Sequence, residues 1–118
     1  MSSGEVLVID DDKSTRDSLR IFLEFEGYIV STCESGAAAL DLIRKKHFEI
    51  LLIDYRMPEM NGDELTRWLR PLCPEAFILG ISIESNEQAF LRAGADAFLG
   101  KRELVQKLIP LLKDRTQG

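Results

Sequence analysis

The chain predicts an α/β protein, a doubly wound parallel sheet with helices on both faces. Short apolar runs alternate with amphipathic segments along its 118 residues, and strands buried on both faces of a parallel sheet read as continuous apolar runs. Acids close two of the runs: Asp10-Asp11-Asp12 follows Val6-Leu7-Val8-Ile9, and Asp54 follows Ile50-Leu51-Leu52-Ile53. A lysine, Lys101, closes a third, Ala97-Phe98-Leu99-Gly100. Open α/β sheets place their chemistry at the carboxyl ends of the strands. The pattern points to metal-assisted phosphoryl transfer.

Strands are predicted near 5–10, 28–33, 49–54, 77–82 and 96–100. The first helix is expected to begin after Ser14, whose hydroxyl can cap while Asp17 answers from the third helical position. Its inward stripe would hold Leu19, Phe22 and Leu23, and Gly27 would end it. A second helix, roughly 36–46, would bury Ala38, Leu40 and Ile43 and turn basic at Arg44-Lys45-Lys46, the favourable end of its dipole. A third starts around Gly62 and presents Leu65, Trp68 and Leu69 before Pro71 halts regular helix. A short fourth is expected over 85–93. A fifth, over 102–114, carries Leu104, Val105, Leu108 and Leu112 and contains Pro110, which removes one backbone hydrogen bond. Only Thr116-Gln117-Gly118 is left as a loose end.

This length suits one α/β domain with a real core and is too short for two. With 45% hydrophobic and 30% charged residues the chain reads as soluble and globular, without a membrane-length apolar stretch. Ser2 to Glu5 carries no basic region, so no signal peptide is expected. Two distant cysteines, Cys33 and Cys73, do not suggest a disulfide framework or a metal cluster, and a cytoplasmic location with reduced thiols follows as the expectation. A net charge of −5 lacks the basic field of a nucleic-acid binder. Cys33, Cys73, His47 and Trp68 are read as ordinary packing or surface residues.

Asp10, Asp11 and Asp54 carry the chemical argument. Three carboxylates gathered in a partly dehydrated cleft repel one another and raise at least one pKa unless a cation is present. Magnesium suits them best, as a hard ion that prefers oxygen ligands and is often shared with phosphate, with manganese (Mn2+) as a substitute. Taken singly, each acid reads more readily as a solvated turn residue or helix cap than as part of a site; recurrence at two strand ends reverses that preference. Asp12 is expected to orient or repel rather than ligate. Lys101 would project over the same edge, where an ammonium pairs with a phosphoryl oxygen. Ser82, after Phe77-Ile78-Leu79-Gly80-Ile81, offers a hydroxyl at a fourth strand end.

With these residues the chain resembles the receiver domain of bacterial two-component response regulators, from Glu5 to about Lys113. The segment Asp54-Tyr55-Arg56-Met57-Pro58-Glu59-Met60-Asn61-Gly62 is similar to the family's phosphoacceptor loop, and Ala93-Gly94-Ala95-Asp96-Ala97-Phe98-Leu99-Gly100-Lys101 to its approach to the lysine. The resemblance implies a single receiver domain over 1–118, a flavodoxin-like sheet of order 2-1-3-4-5 with five helices, and Mg2+ held by Asp10, Asp11, Asp54 and the backbone carbonyl of Arg56. It implies that Asp54 accepts a phosphoryl group from a sensor histidine kinase or histidine phosphotransfer protein. Lys101 and Ser82 would then stabilise that group, and Ser82 and Phe98 would act as switch residues. An output domain or protein follows as a partner, a homodimer is possible on the face of helices four and five, and neither nucleic acid nor membrane is expected to bind this domain directly.

Three departures stand out. Arg102 occupies the family's usual proline position, so the cis peptide expected there loses its structural reason and Lys101 is open to a different aim. Lys101 follows Ser82 by nineteen positions, a few fewer than the family spacing, which trims the fourth helix. Ile83 stands where a small residue is typical and would narrow the pocket. Two rivals are therefore kept. One is a receiver-like interaction module that no longer depends on phosphate. The other is a small phosphatase of the haloacid-dehalogenase type, with Asp10 as nucleophile and Asp12 as acid/base.

Overall fold

A computed structural model describes residues 4–115; residues 116–118, expected to form a loose end, and residues 1–3, part of the stretch in which no signal peptide is expected, lie outside them. Five strands form the sheet: β1 (Glu5–Ile9), β2 (Ile29–Cys33), β3 (Ile50–Asp54), β4 (Phe77–Ser82) and β5 (Ala97–Gly100). All four pairings are parallel, in the order β2-β1-β3-β4-β5. The helices are α1 (Lys13–Phe25), α2 (Gly36–Lys45), α3 (Gly62–Leu72), α4 (Glu87–Ala93) and α5 (Leu104–Asp114), the last preceded by a 3-10 turn over Lys101–Glu103.

Strand parity divides the core in two. Val6, Val8, Ile50, Leu52, Leu79 and Ile81 face Leu19 and Leu23 of α1 and Leu104, Leu108 and Leu112 of α5. Their neighbours Leu7, Ile9, Leu51, Ile53 and Ile78 face Ala39 of α2, Leu65 and Leu69 of α3 and Phe90 of α4. Every residue of β3 is buried, because the central strand packs helices on both faces. The strand order reverses between β1 and β3, and the crevice beyond their carboxyl ends is where this topology leaves room for a ligand.

Some expectations are corrected, while the short fourth helix and the stop of α1 before Gly27 hold. Asp12, not Ser14, caps α1: its carboxylate accepts from the Thr15 backbone N–H at 2.9 Å and from the Thr15 hydroxyl at 2.7 Å. α3 continues through Pro71 to Leu72, since only the last turn loses a donor and the Cys73 N–H still reaches the Leu69 carbonyl at 2.8 Å. Trp68, 63% exposed, and Val105, 79% exposed, lie on the solvent side of their helices. On α2, Gly36 and Ala39 are buried, and Ala38, Leu40 and Ile43 are half-buried along its flanks. α4 begins at Glu87 and has seven residues. α5 runs through Pro110, held by buried Leu108 and Leu112 on either side. α1 ends at Phe25, with Gly27 in the left-handed region at φ 96° just beyond. No helix among the described residues is long and apolar enough to cross a membrane.

Candidate functional site

Asp10 follows β1 directly and is fully buried. Its N–H donates to the Cys33 carbonyl at 3.1 Å, extending the ladder by one residue and turning the carboxylate into the β1/β3 crevice. Arg16, one turn into α1, donates to the Asp10 carbonyl at 2.8 Å, and Asp10 Oδ1 accepts from the Asp12 N–H at 2.9 Å. Asp54, the last residue of β3, is 4% exposed. One carboxylate oxygen from each of Asp10, Asp11 and Asp54 lies within 4.8 Å of the others.

Lys101 reaches this cluster from the turn after β5. Its Nζ lies 3.1 Å from Asp10 Oδ2 and 3.1 Å from Asp54 Oδ1. Arg102 has therefore not turned the lysine away, and no peptide among the described residues is cis. The contact with Asp10 is an ion pair without hydrogen-bond alignment, because Asp10 Oδ2 is buried with no hydrogen-bonding partner. Burial raises the Asp10 pKa, and burial followed by the charge of Asp10 pushes Asp54 up to about 6. For Lys101, burial opposes the charge, but the attraction of Asp10 and then Asp54 outweighs it and raises the pKa.

The phosphoacceptor-like loop folds back on the strand it leaves. Tyr55 N–H donates to the Ile81 carbonyl at 3.0 Å, and Gly62 N–H donates to the Tyr55 carbonyl at 2.7 Å. Glycine is required at 62, since a Cβ there would stand 2.2 Å from the Asp54 carbonyl oxygen. The exposed Arg56 guanidinium forms a two-point ion pair with Glu84, its Nη2 donating to Oε2 at 3.0 Å. A guanidinium repels a cation, so the backbone carbonyl is what Arg56 has to offer a metal.

Ser82 ends β4 beside Asp54, the register pairing Asp54 with Ile81 and Ser82 with Gly100. Its hydroxyl is engaged in its own turn, donating to Asn86 Oδ1 at 2.7 Å and accepting from the Glu84 N–H at 2.9 Å. Phe98 is half-buried, its ring 5.9 Å from that of Phe90. Ile83 is 75% exposed, directed to solvent rather than narrowing the crevice. Cys33 is buried, with its thiol pushed up to about 11 by burial, which makes it inert.

The structure thus brings Asp10, Asp11, Asp54 and Lys101 together, sets Ser82 beside Asp54 at the end of β4, and packs Phe98 against Phe90. Sequence reasoning missed Arg16, Glu84, Asn86 and Phe90. The first three are polar residues whose roles depend on contacts without a periodic signature. Phe90 had a legible trace in Gly80, a glycine inside an apolar strand, which marks a close approach. An oxygen-only donor set with a buried carboxylate oxygen lacking a hydrogen bond fits a hard divalent cation.

The family model for the response regulator receiver domain matches residues 6–113. Response regulator MprA of Mycobacterium tuberculosis (strain H37Rv) is 36% identical over 114 residues, covering 94% of this chain and 50% of that protein. The chain spans about half the length of the curated relatives it matches. Among solved structures, Thermotoga maritima TrrA in complex with Mg2+-BeF superposes with a TM-score of 0.87 at 26% identity, covering 97% of this chain and 98% of that one. Vibrio cholerae chemotaxis protein CheY4 gives 0.87 at 28% identity with the same coverage. A CheY-like receiver domain protein from Methanospirillum hungatei gives 0.83 at 31%, again over 97% and 98%. With the sheet order, the acidic crevice and a family match that runs from β1 through α5 all in agreement, the chain belongs to the response regulator receiver domain family of two-component systems.

Proposed function

We propose that the protein is a phosphorylation-dependent signalling switch whose phosphoacceptor is Asp54. The observation that carries this reading is the Lys101 ammonium 3.1 Å from both Asp10 and Asp54 in a buried crevice. One oxygen of the Asp54 carboxylate attacks the phosphorus of a phosphohistidine donor in line; the P–N bond breaks and its electron pair returns to the imidazole nitrogen. Lys101 leaves the carboxylates for an equatorial phosphoryl oxygen, offsetting its charge. The Ser82 hydroxyl exchanges its bond to Asn86 for another such oxygen. Asp10, Asp11, Asp54 and the Arg56 carbonyl would hold Mg2+, with Mn2+ as a substitute, which supplies charge neutralisation at the phosphoryl oxygens when bound. Asp54 must be ionised to attack; with its pKa at about 6 it is largely so at neutral pH, and a bound cation favours that form further.

The donor is a sensor histidine kinase or histidine phosphotransfer protein, and the receiver state is read by an output domain or protein in the cytoplasm. The phosphatase alternative is disfavoured because its acid/base, Asp12, is committed to capping α1. The Thr15 hydroxyl and N–H hold its carboxyl below the usual range, the wrong direction for a general acid. The phosphate-independent alternative is disfavoured because Lys101 still reaches both acids despite Arg102.

The test is incubation with acetyl phosphate or phosphoramidate, with and without Mg2+, followed by rapid intact-mass analysis. One added phosphoryl group that requires Mg2+ and disappears in Asp54→Asn is the expected result. Labelling that survives Asp54→Asn and is lost in Asp10→Asn would instead establish the phosphatase chemistry. No labelling, with no Mg2+ binding, would leave an interaction module.

A further inference from the structure

α4 has seven residues and buries only Phe90 and Ala93. A helix this short has little stability of its own: its ends are tied by the Ser82–Asn86 bond at 2.7 Å and the bond from Arg70 Nε to the Gly94 carbonyl at 2.9 Å, and Phe90 is its one large side chain in the core. That ring lies where two glycines leave room. In the middle of β4, a Cβ at Gly80 would stand 2.3 Å from the Phe90 Cγ and 2.5 Å from both Cδ atoms. At the start of α3, a Cβ at Gly62 would stand 2.9 Å from Phe90 Cζ. The ring also meets Tyr55 edge-on, with centroids 6.1 Å apart, and Phe98 at 5.9 Å. Tyr55 and Gly62 are the two ends of the loop that follows Asp54, joined by the hydrogen bond from Gly62 N–H to the Tyr55 carbonyl. One α4 side chain therefore touches both ends of that loop. A core at native density does not absorb a shift of the loop by compression; it repacks between discrete arrangements.

We propose that Phe90 is a positioning residue that couples the Asp54–Gly62 loop directly to α4, by a packing path that does not run through the Ser82 hydroxyl. The coupling rests on the phosphoacceptor reading above. When Asp54 is phosphorylated, the loop that follows it moves against the ring, and the helix that the ring docks answers. In the reverse direction, a partner seated on α4 shifts the phosphorylation equilibrium by the same factor.

Two variants disturb the ring oppositely: Phe90→Leu removes its reach while keeping an apolar contact, and Gly80→Ala keeps the ring but displaces it. A third, Gly80→Ala/Phe90→Leu, puts a methyl where the ring gives up space, so the test survives if either single variant fails to fold. Hydrogen exchange of the 86–94 amides is followed with and without Mg2+ and phosphoramidate, and the phosphoryl adduct is measured on the same samples. In the unmodified protein the adduct is expected to shift α4 exchange by roughly tenfold, a size typical of coupled sites. In the folded variants the adduct still forms, but the shift falls below about twofold. A merely structural role for Phe90 would change α4 exchange equally in both states and leave the ratio intact, which would overturn the coupling alone. No adduct on the unmodified protein would overturn the phosphoacceptor reading and the coupling with it.

Discussion

Asp54→Asn is expected to stabilise the protein when divalent cations are removed. The Asp54 carboxyl is 4% exposed, and its pKa rises from 3.8 to about 6, through burial first and the charge of Asp10 second. The folded chain therefore holds this proton more tightly than the unfolded chain. Below the unfolded pKa both states are protonated and the group costs nothing; as pH rises through the interval up to about 6 the unfolded state ionises first, and stability falls. Above that interval the full cost applies. A shift of about two units corresponds to about 3 kcal/mol. The amide removes this cost but also one of the two partners of Lys101, which retains Asp10 at 3.1 Å. The net gain is expected to be about 1–3 kcal/mol at about pH 7.5, or roughly 4–12 °C in Tm, and close to zero at about pH 4. Urea and thermal unfolding in a chelator at the two pH values provide the assay. Equal stability of the two proteins at the higher pH, or a gain that persists unchanged at the lower, would refute the argument. On the proposed site, Mg2+ is expected to shrink the gain, because three carboxylates would hold it in the unmodified protein and two in the variant.

Three further outcomes follow from the site. Lys101→Met leaves Asp10 and Asp54 buried without their ammonium and is expected to lower stability by about 3 kcal/mol in chelator, part of which Mg2+ restores; an unchanged unfolding midpoint would deny the pairing. Gly62→Ala drives a methyl to within 2.2 Å of the Asp54 carbonyl oxygen and is expected to cost about 2–3 kcal/mol in urea unfolding, whereas a neutral result would mean that the loop relaxes freely. Asp12→Ala removes the α1 cap and is expected to lower Tm while leaving Mg2+ affinity and Asp54 labelling in place, an outcome the phosphatase chemistry forbids.

The Arg56–Glu84 pair illustrates the limit of linear reading. Both residues are charged and exposed, 28 positions apart, and neither carries a periodic or motif signal that names its partner. Trp68 and Val105 show a related limit. Each sits on an apolar stripe at helical spacing, but a stripe has a width, and the tilt at which a helix lies on the sheet decides which edge of it is covered. Ser14 and Asp12 are both good capping residues two positions apart; the choice fell to Asp12 because the chain leaves β1 with Asp10 turned inward, which points the Asp12 carboxylate at Thr15.

What the linear chain determined by itself was the alternation of strands and helices, the glycine at 62, and the placement of Asp10, Asp11, Asp54 and Lys101 at strand ends. These follow from local side-chain periodicity and from chemistry concentrated where apolar runs stop, and both are written residue by residue. Only the tertiary structure decided that Lys101, just after β5, reaches the acid that follows β1 and the one that ends β3, that Ser82 is bonded into its own turn, and that Phe90 fills the space left by Gly62 and Gly80. Those are distances between segments remote in sequence. They depend on how many small packing contacts add up across two faces of a sheet, and no single stretch of chain contains that sum.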